Sequence, residues 1–233
     1  TNSEQVDWHI LWAEMNGYLF NDKILKPWER DPAFYKTIWT YKSDVPAHEG
    51  PTHHAIIELW QYKFPLDKSS QKKLTSSLGI IPKLNQAAKI NLTGNAKDLW
   101  IAGIRDIQNQ SKVLSELLSK PSVENNKSLK KVINNAKKST DEFVNWLKLK
   151  APSKDGPSGI GKENYTWYQQ NVHLIPLSWE DEVILLKREL ARAWSSLKLE
   201  EHRNRNFVML HLLEQLMSAQ RRLCKLACSY GGG

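Results

Sequence analysis

Apolar and polar residues alternate with the period of an α-helix along most of this chain. The first such stretch predicts an amphipathic helix of about five turns, because its large apolar residues recur at i, i+3, i+4 and i+7. These residues are Trp8, Leu11, Trp12, Met15, Tyr18 and Leu19. We expect this aromatic face to be buried against the rest of the protein.

Prolines interrupt the helical pattern after the first helix. Pro27 and Pro32 cannot lie in a helix interior, since proline lacks the amide hydrogen and clashes with the preceding turn. Asp31 precedes Pro32, and this order favours a new helical turn that is capped by the aspartate. We expect loops and short helical pieces here, including a short helix from Ala55 to Tyr62 that ends before the next proline.

Three further apolar stripes predict a helical bundle between residues 67 and 150. The first stripe begins near Asp67 or Ser69 and contains Pro82, which we expect to kink its helix. The stripes comprise Leu74, Leu78, Ile81, Leu84 and Ala88; then Trp100, Gly103, Ile104, Ile107, Ser111, Leu114 and Leu118; then Leu129, Val132, Ala136, Phe143, Trp146 and Leu147. Helices joined by short polar turns bury such stripes against one another. The sequence therefore predicts an all-α fold, an antiparallel helical bundle with an irregular segment near the amino end.

A loop and two helices follow the bundle. Ala151 to Gly161 contains three glycines and two prolines, which makes it a loop and the clearest candidate boundary in the chain. The pattern of Lys162 to Asn171 predicts a short helix, and Ser178 can cap a long helix that runs to about His202. We expect the apolar face of this long helix to be buried; it comprises Val183, Leu186, Leu190, Trp194 and Leu197.

The character of the sequence changes after Asn206. Residues 207–233 are apolar and then basic, and they contain both cysteines, Cys224 and Cys228. Their spacing of four places the two thiols on one helical face, so we expect neither a disulfide framework nor a metal knuckle. The sequence predicts one helical domain over residues 1–206 and an atypical tail over 207–233. The tail is either foreign to the domain or its genuine terminal helix.

The net charge of +8 is concentrated in two basic stretches. Residues 120–155 contain nine lysines and four acids, and residues 203–233 contain five basic residues and one acid. No recognition motif for nucleic acid accompanies this charge, so a solvated lysine-rich helix face is the better interpretation. A membrane span is also not predicted, since no run of about 18 uncharged apolar residues occurs.

The histidines of the chain do not have the spacing of a zinc site. Zinc hydrolysis on a helix needs two histidines at i and i+4, with a glutamate beside the first as general base. The nearest stretch, His48 to His54, has the spacing H-E-x-x-x-H and contains Gly50 and Pro51, which exclude a helix. We expect no metal site and no cofactor in this chain, and interpret these histidines as polar loop residues. Adventitious metal binding by the loop is the alternative.

The stretch after the glycine-rich loop carries the best candidates for ligand contact. Glu163, Tyr165 and Tyr168 provide groups that can line a peptide groove. The alternative is structural, because tyrosines with one apolar face and one polar tip commonly pack a short helix against its neighbours. Most of the ten tryptophans are interpreted as core residues, whereas Trp28 and Trp39, in the irregular segment, are candidates for the rim of a cleft.

Five stretches of this sequence together resemble one bacterial family. They are VDWHILWAEM from Val6, KPWERDPAFY from Lys26, IPKLNQAAKINLT from Ile81, GIGKENYTWYQQNVHLIPLSWEDE from Gly159 and KLEEHRNRN from Lys198. In register over residues 6–206, the chain resembles the amino-terminal part of the domain of unknown function 885 family, which is regarded as zinc-metallopeptidase-like. The stretch from Gly159 is the most informative, because a glycine-rich loop, an aromatic helical turn and a capped long helix follow one another there.

The resemblance implies a fragment of a zinc-dependent peptidase-like hydrolase, to which this chain contributes the helical wall of a substrate channel. The family's metal-binding helix lies further toward the carboxyl end, so zinc and a peptide substrate are expected for full-length relatives and no activity for this chain alone. The family also implies a periplasmic or lipid-anchored location. The alternative is a non-enzymatic helical binding module, which holds a peptide or an acidic partner through the basic helix from Lys120 to Lys150 or the irregular segment.

Overall fold

A computed structural model describes residues 1–42 and 53–206 of the chain. The described residues are mostly helical, so the all-α prediction is confirmed. The helices are α1 (Asn2–Phe20), α2 (Pro27–Arg30), α3 (Lys68–Leu78), α4 (Ile81–Asn91), α5 (Lys97–Leu118), α6 (Pro121–Glu124), α7 (Lys127–Lys150), α8 (Lys162–Asn171) and α9 (Trp179–Arg203). The antiparallel direction of neighbouring bundle helices stays a prediction.

The chain divides into two compact units, Thr1–Ser178 and Trp179–Gly233. The loop of residues 151–161, the candidate boundary in the sequence, lies inside the first unit and begins with a 3-10 turn. Helix α9 makes up nearly all of the described part of the second unit. The predicted tail of residues 207–233 and the first part of the histidine loop, with His48, lie outside the described residues.

The segment after α1 is irregular, as the prolines predict. A π-helical turn at Asn21–Leu25 ends at Lys26, whose left-handed backbone (φ 41°) redirects the chain before α2 begins. The Asp31 carboxylate then accepts a hydrogen bond from the Ala33 amide at 2.8 Å and caps a 3-10 turn at Pro32–Tyr35. This is the aspartate cap that the sequence predicts.

Two short strands lie in the irregular segment. Strand β1 (Ile38–Trp39) pairs in parallel with β2 (Ile57–Glu58), and a 3-10 turn follows at Leu59–Gln61. The short α-helix predicted from Ala55 to Tyr62 is therefore wrong. The backbone groups of this segment find partners in a neighbouring strand, so the local helical pattern does not decide the structure.

A buried glutamine attaches β1 to α5. The Oε1 atom of Gln110 accepts hydrogen bonds from the amide groups of Thr37 at 2.7 Å and Ile38 at 3.0 Å. Thr37 and Ile38 are buried, and a buried backbone amide without a partner costs free energy, so these two bonds hold the irregular segment in one position on α5. The Nε2 group of Gln110 itself has no partner among the described residues.

Helices α5 and α7 form the centre of the first unit. Both bury the stripes that the sequence predicts, and α3, α4 and the Pro32–Tyr35 turn pack against them. One core cluster joins α3 and the strands to this pair, and a second surrounds Tyr35, Trp100 and Phe143. Trp100 is the only buried one of the ten tryptophans, so the interpretation of most of them as core residues is wrong.

The long helix expected from residue 67 onward is two helices. Helix α3 is capped by Asp67, whose carboxylate accepts a hydrogen bond from the Ser70 amide at 2.7 Å, and it ends at Leu78. Helix α4 begins at Ile81, with Pro82 in its first turn. Proline is tolerated there because the amide groups of a first turn have no helical partner, so the chain breaks before Pro82 and does not bend at it.

The aromatic face of α1 is exposed, and the prediction that it is buried is wrong. Five of its large apolar side chains are more than half exposed, namely Trp8, Leu11, Met15, Tyr18 and Leu19. Trp12 is half-buried, whereas the buried residues of α1 are Ala13 and Phe20. The helix packs on α8 through the face that carries Phe20. Periodicity indicates which residues share a face but not which face another element covers.

The apolar face of α9 is likewise exposed. Its four large residues Leu186, Leu190, Trp194 and Leu197 are each at least 39% exposed, and Val183 is half-buried. The helix itself begins and ends within one residue of the predicted positions. The prediction of the helix is thus confirmed, and the prediction that this face is buried is wrong.

The close approach of α5 to the Pro32–Tyr35 turn can be tested at Gly103. A Cβ atom on Gly103 would lie 2.8 Å from the Ala33 amide nitrogen and 2.8 Å from Pro32 Cβ. Because backbone atoms cannot yield as a flexible side chain can, we predict that Gly103→Ala lowers the free energy of unfolding by about 1–3 kcal/mol. Alanine ordinarily favours a helix over glycine by about 1 kcal/mol, so the expected sign is reversed. Urea denaturation measures the effect.

Gly17→Ala in α1 is the matched control. A Cβ atom there would meet Val172 Cγ1 at 3.4 Å, which is an ordinary contact. The same substitution should therefore raise the free energy of unfolding by about 0.5–1 kcal/mol. A Gly103→Ala variant as stable as the original protein would show that α5 does not approach the Pro32–Tyr35 turn this closely.

Candidate functional site

An arginine holds the glycine-rich loop that precedes α8. The Nη2 atom of Arg30 donates to the carbonyl oxygens of Pro157 at 3.4 Å, Ser158 at 3.0 Å and Gly159 at 3.4 Å. Three carbonyl groups thus converge on one guanidinium, which satisfies backbone acceptors that have no helical partner. Arg30 fixes the loop at the point from which the chain enters α8.

The same loop caps α5. The Ser158 hydroxyl accepts hydrogen bonds from the amides of Asp98 at 2.8 Å and Leu99 at 3.3 Å, and the Gly156 carbonyl accepts one from the Lys97 amide at 3.1 Å. These are free amides of the first turn, for which the N-cap residue Ala96 offers no side-chain acceptor. The loop is therefore held from both sides, by Arg30 and by the start of α5.

Helix α8 begins after a glycine with positive φ. Gly161 has φ 82°, a conformation that residues with a Cβ atom rarely adopt, and an added Cβ would meet no atom within 4 Å. Its role in the described structure is thus the turn into the helix. Within α8, Asn164 donates to the Ile160 carbonyl at 2.8 Å and Gln169 donates to the Tyr165 hydroxyl at 2.8 Å.

Aromatic contacts attach α8 to α1. Trp167 stacks on Phe20 with ring centroids 5.7 Å apart and planes at 9°. Tyr168 contacts Phe20 at 4.8 Å on one side and His173 at 4.9 Å on the other. Asn16 adds a hydrogen bond to the Asn171 carbonyl at 3.2 Å. These contacts place Tyr168 in the packing between the two helices.

The three candidate cleft residues lie on two sides of α8. Tyr165 and Tyr168 are half-buried, whereas Glu163 is exposed. Five helical residues correspond to a rotation of about 140°, so Glu163 lies far around the helix from Tyr168. The helix brings the two tyrosines together and leaves Glu163 apart from them.

Both candidate rim tryptophans are half-buried. Trp28 packs edge-on against Phe34, and its carbonyl accepts a hydrogen bond from the Tyr35 hydroxyl at 2.8 Å. The ammonium group of Lys36 lies 4.5 Å from the ring centre of Trp39, a cation–π contact that covers this ring. A role of either residue at a cleft stays a prediction.

His53, the first described residue of the histidine loop, uses both ring nitrogens. Its Nδ1 accepts a hydrogen bond from the Ala55 amide at 3.1 Å, so Nε2 carries the proton and donates to the Lys36 carbonyl at 3.1 Å. Phe34 contacts the ring edge-on at 5.7 Å. Burial lowers the pKa of His53, and the hydrogen bond to the Lys36 carbonyl only partly opposes this shift.

These contacts do not fit a zinc ligand. A ligating imidazole must present a nitrogen lone pair to the metal, but the only lone pair of this ring accepts the Ala55 amide. Within residues 1–42 and 53–206, no group of three or more His, Cys, Asp and Glu side chains could hold a metal ion. In the same part of the chain, no helix combines the length and the apolar character needed to cross a membrane.

Two open grooves lie along the bundle helices. One, of about 590 Å³, lies between α4 and α7 and includes Lys83 and Lys138. The other, of about 460 Å³, lies between α3 and the start of α7 and includes Lys68 and Lys72. Each groove therefore includes two lysines, and the first groove also includes the acid Glu142.

Searches among known protein families, curated proteins and solved structures found no match to this chain. The resemblance to the domain of unknown function 885 family, carried by the five stretches above, therefore stays a prediction.

Three residues that organise this region were not singled out from the sequence. Gln110 had a signal, since it lies three residues after Ile107 on an otherwise apolar stripe. Arg30 and Ser158 had none, because their partners are about 60 to 129 residues away in the chain. Long-range hydrogen bonds to backbone groups have no local sequence pattern.

The buried imidazole generates a pH prediction. The pKa of His53 is lower in the folded than in the unfolded chain, so the unfolded chain binds more protons below about pH 6.5. The contribution of neutral His53 to the free energy of unfolding is complete above about pH 6.5. It is lost as the pH falls toward the pKa that His53 has in the folded chain. The variant His53→Asn keeps an acceptor for the Ala55 amide but has no imidazole to protonate. We predict that it loses less unfolding free energy than the original protein when the pH falls from about 7.5 to 5.5. Urea denaturation at both pH values measures this.

His54→Asn is the matched control, because His54 is exposed in the same loop. This variant should retain most of the pH dependence of the original protein, because the charge of His54 makes only the smallest contribution to the lowered pKa of His53. Equal pH dependence in the His53→Asn variant and the original protein would contradict the assignment of a buried, neutral His53.

Proposed function

We propose that this chain forms the helical wall of a substrate channel in a larger zinc-dependent, peptidase-like hydrolase, with the zinc held by residues outside this chain. The observation that carries the proposal is the stretch Gly159–Glu182, whose sequence resembles the metallopeptidase-like family. Its structure is consistent with a supporting wall, because the loop is held by Arg30 and the helix α8 is packed on α1.

In this proposal the three residues of α8 have different roles. Glu163 is exposed in the first turn of the helix, so its carboxylate is available to the amino or amide groups of a peptide. Tyr168 positions the helix α8 on α1, because its ring lies between Phe20 and His173. Tyr165 lies beside Tyr168 on the helix and contributes its hydroxyl, which accepts the Gln169 amide.

The exposed apolar faces support a role within a larger protein. The face of α1 around Met15 and the face of α9 around Leu190 expose large apolar side chains that a self-sufficient domain would cover. Further helices of the same hydrolase are the cover that the proposal expects.

The grooves favour a second candidate function. A non-enzymatic module for an acidic peptide or protein would use the lysines along the bundle, such as Lys83 with Lys138 or Lys68 with Lys72. Such binding would weaken steeply as the salt concentration rises, because it depends on exposed charges. The hydrolase proposal expects no such dependence.

We predict that the purified chain does not hydrolyse peptides, with or without added zinc. The physical reason is that the described residues offer no set of metal ligands and that His53 is fully hydrogen-bonded. A peptide library assay, run with zinc and with a chelator, measures hydrolysis, and elemental analysis measures bound zinc. Chelator-sensitive hydrolysis, or one zinc ion bound per chain through His48 and His53, would refute the proposal.

A further inference from the structure

Helix α1 is apolar on more sides than α8 covers. Besides the aromatic face, Val6 and Ile10 on its other side are more than half exposed. The contacts of α1 with α8 involve its carboxyl-terminal part, through Asn16, Gly17 and Phe20. A helix that is apolar on most sides is normally covered, so the amino-terminal part of α1 has the properties of a docking element.

The exposed face has a continuous apolar surface, here named the α1 stripe. It comprises Trp8, Leu11, Trp12, Met15, Tyr18 and Leu19, which fall within about 120° of one another around the helix axis. The rings of Trp8 and Trp12 stack with centroids 6.0 Å apart and planes at 16°. Two parallel indole rings give the stripe a rigid aromatic end.

Acidic residues border one edge of the α1 stripe. Asp7 and Glu14 lie on that edge and are both exposed. They are seven residues apart, which places them two turns, or about 10.5 Å, from each other along the axis. Helix α1 contains no lysine or arginine, so no cation of its own surface balances these carboxylates.

We propose that the α1 stripe docks an amphipathic helix whose apolar face is bordered by lysine or arginine residues two turns apart. The apolar face supplies the contact area, and the spacing of Asp7 and Glu14 sets the charge pattern of the partner. This proposal specifies the chemistry of the helix that covers α1, and it holds whether or not that helix belongs to the hydrolase.

Pairing with the α1 helix of a second copy and binding to a membrane surface both fit the charge less well. The α1 helix of a second copy would bring further carboxylates to the interface and no cation to pair with Asp7 or Glu14. An anionic membrane surface would repel these carboxylates as well.

The test uses two synthetic amphipathic helical peptides that share one leucine-rich face. One carries lysine and the other glutamate at the two positions that border this face. Isothermal titration calorimetry with the whole chain at low salt should show that the lysine peptide binds at least about tenfold more tightly than the glutamate peptide. The reason is that Asp7 and Glu14 attract lysine and repel glutamate. The double variant Asp7→Lys, Glu14→Lys should reverse this order.

Met15→Lys should weaken binding of the lysine peptide at least about tenfold, because it places a charge in the centre of the apolar face. Asn2→Lys, which adds the same charge away from the stripe, is the matched control and should bind like the original protein. Both residues are exposed, so neither variant disturbs the core. Failure of both peptides to bind, equal binding of both, or a dimer in sedimentation that Met15→Lys dissociates would overturn the proposal.

Discussion

The packing of α5 against α7 is the interaction on which the rest of the first unit depends. Their apolar stripes bury each other, and α3, α4 and the irregular segment attach to this pair. A polar contact accompanies the stripes: the Ser111 hydroxyl donates to Asp141, whose other oxygen lies 2.6 Å from the Lys137 ammonium. Burial by itself raises the pKa of Asp141, but the hydrogen bonds from Lys137 and Ser111 lower it on balance, so this carboxylate stays charged.

The non-helical parts depend on α5 through a few polar side chains. Gln110 holds β1, and Ser158 joins the glycine-rich loop to the start of α5. Arg30 then links that loop to the irregular segment. The position of α8 is therefore fixed by a series of backbone hydrogen bonds that begins at the bundle. A supporting wall for a substrate channel needs this kind of rigidity.

The helices of this chain could be predicted because they depend on residues that act within a few positions of one another. The strands and the loop contacts could not, because they depend on residues far apart in sequence. The positions of α8 and α9 and the Asp31 cap follow from glycine, proline and capping residues that act within a few positions. The parallel pairing of β1 with β2 does not, because its partners are far apart in sequence. At the candidate site, the helix α8 and its aromatic residues could be predicted from the sequence, but the separation of Glu163 from Tyr168 was not predicted. Periodicity also could not show that the aromatic face of α1 is exposed.

In the first unit, α5 and α7 form a rigid centre, whereas the apolar stripe of α1 is exposed. Hydrogen exchange of the backbone amides measures this difference between the bundle centre and α1. We expect the slowest exchange in the middle of α5 and α7, and exchange at least about a hundredfold faster over Trp8 to Met15 of α1. Equal protection of Trp8 to Met15 and of the centre of α5 would contradict it.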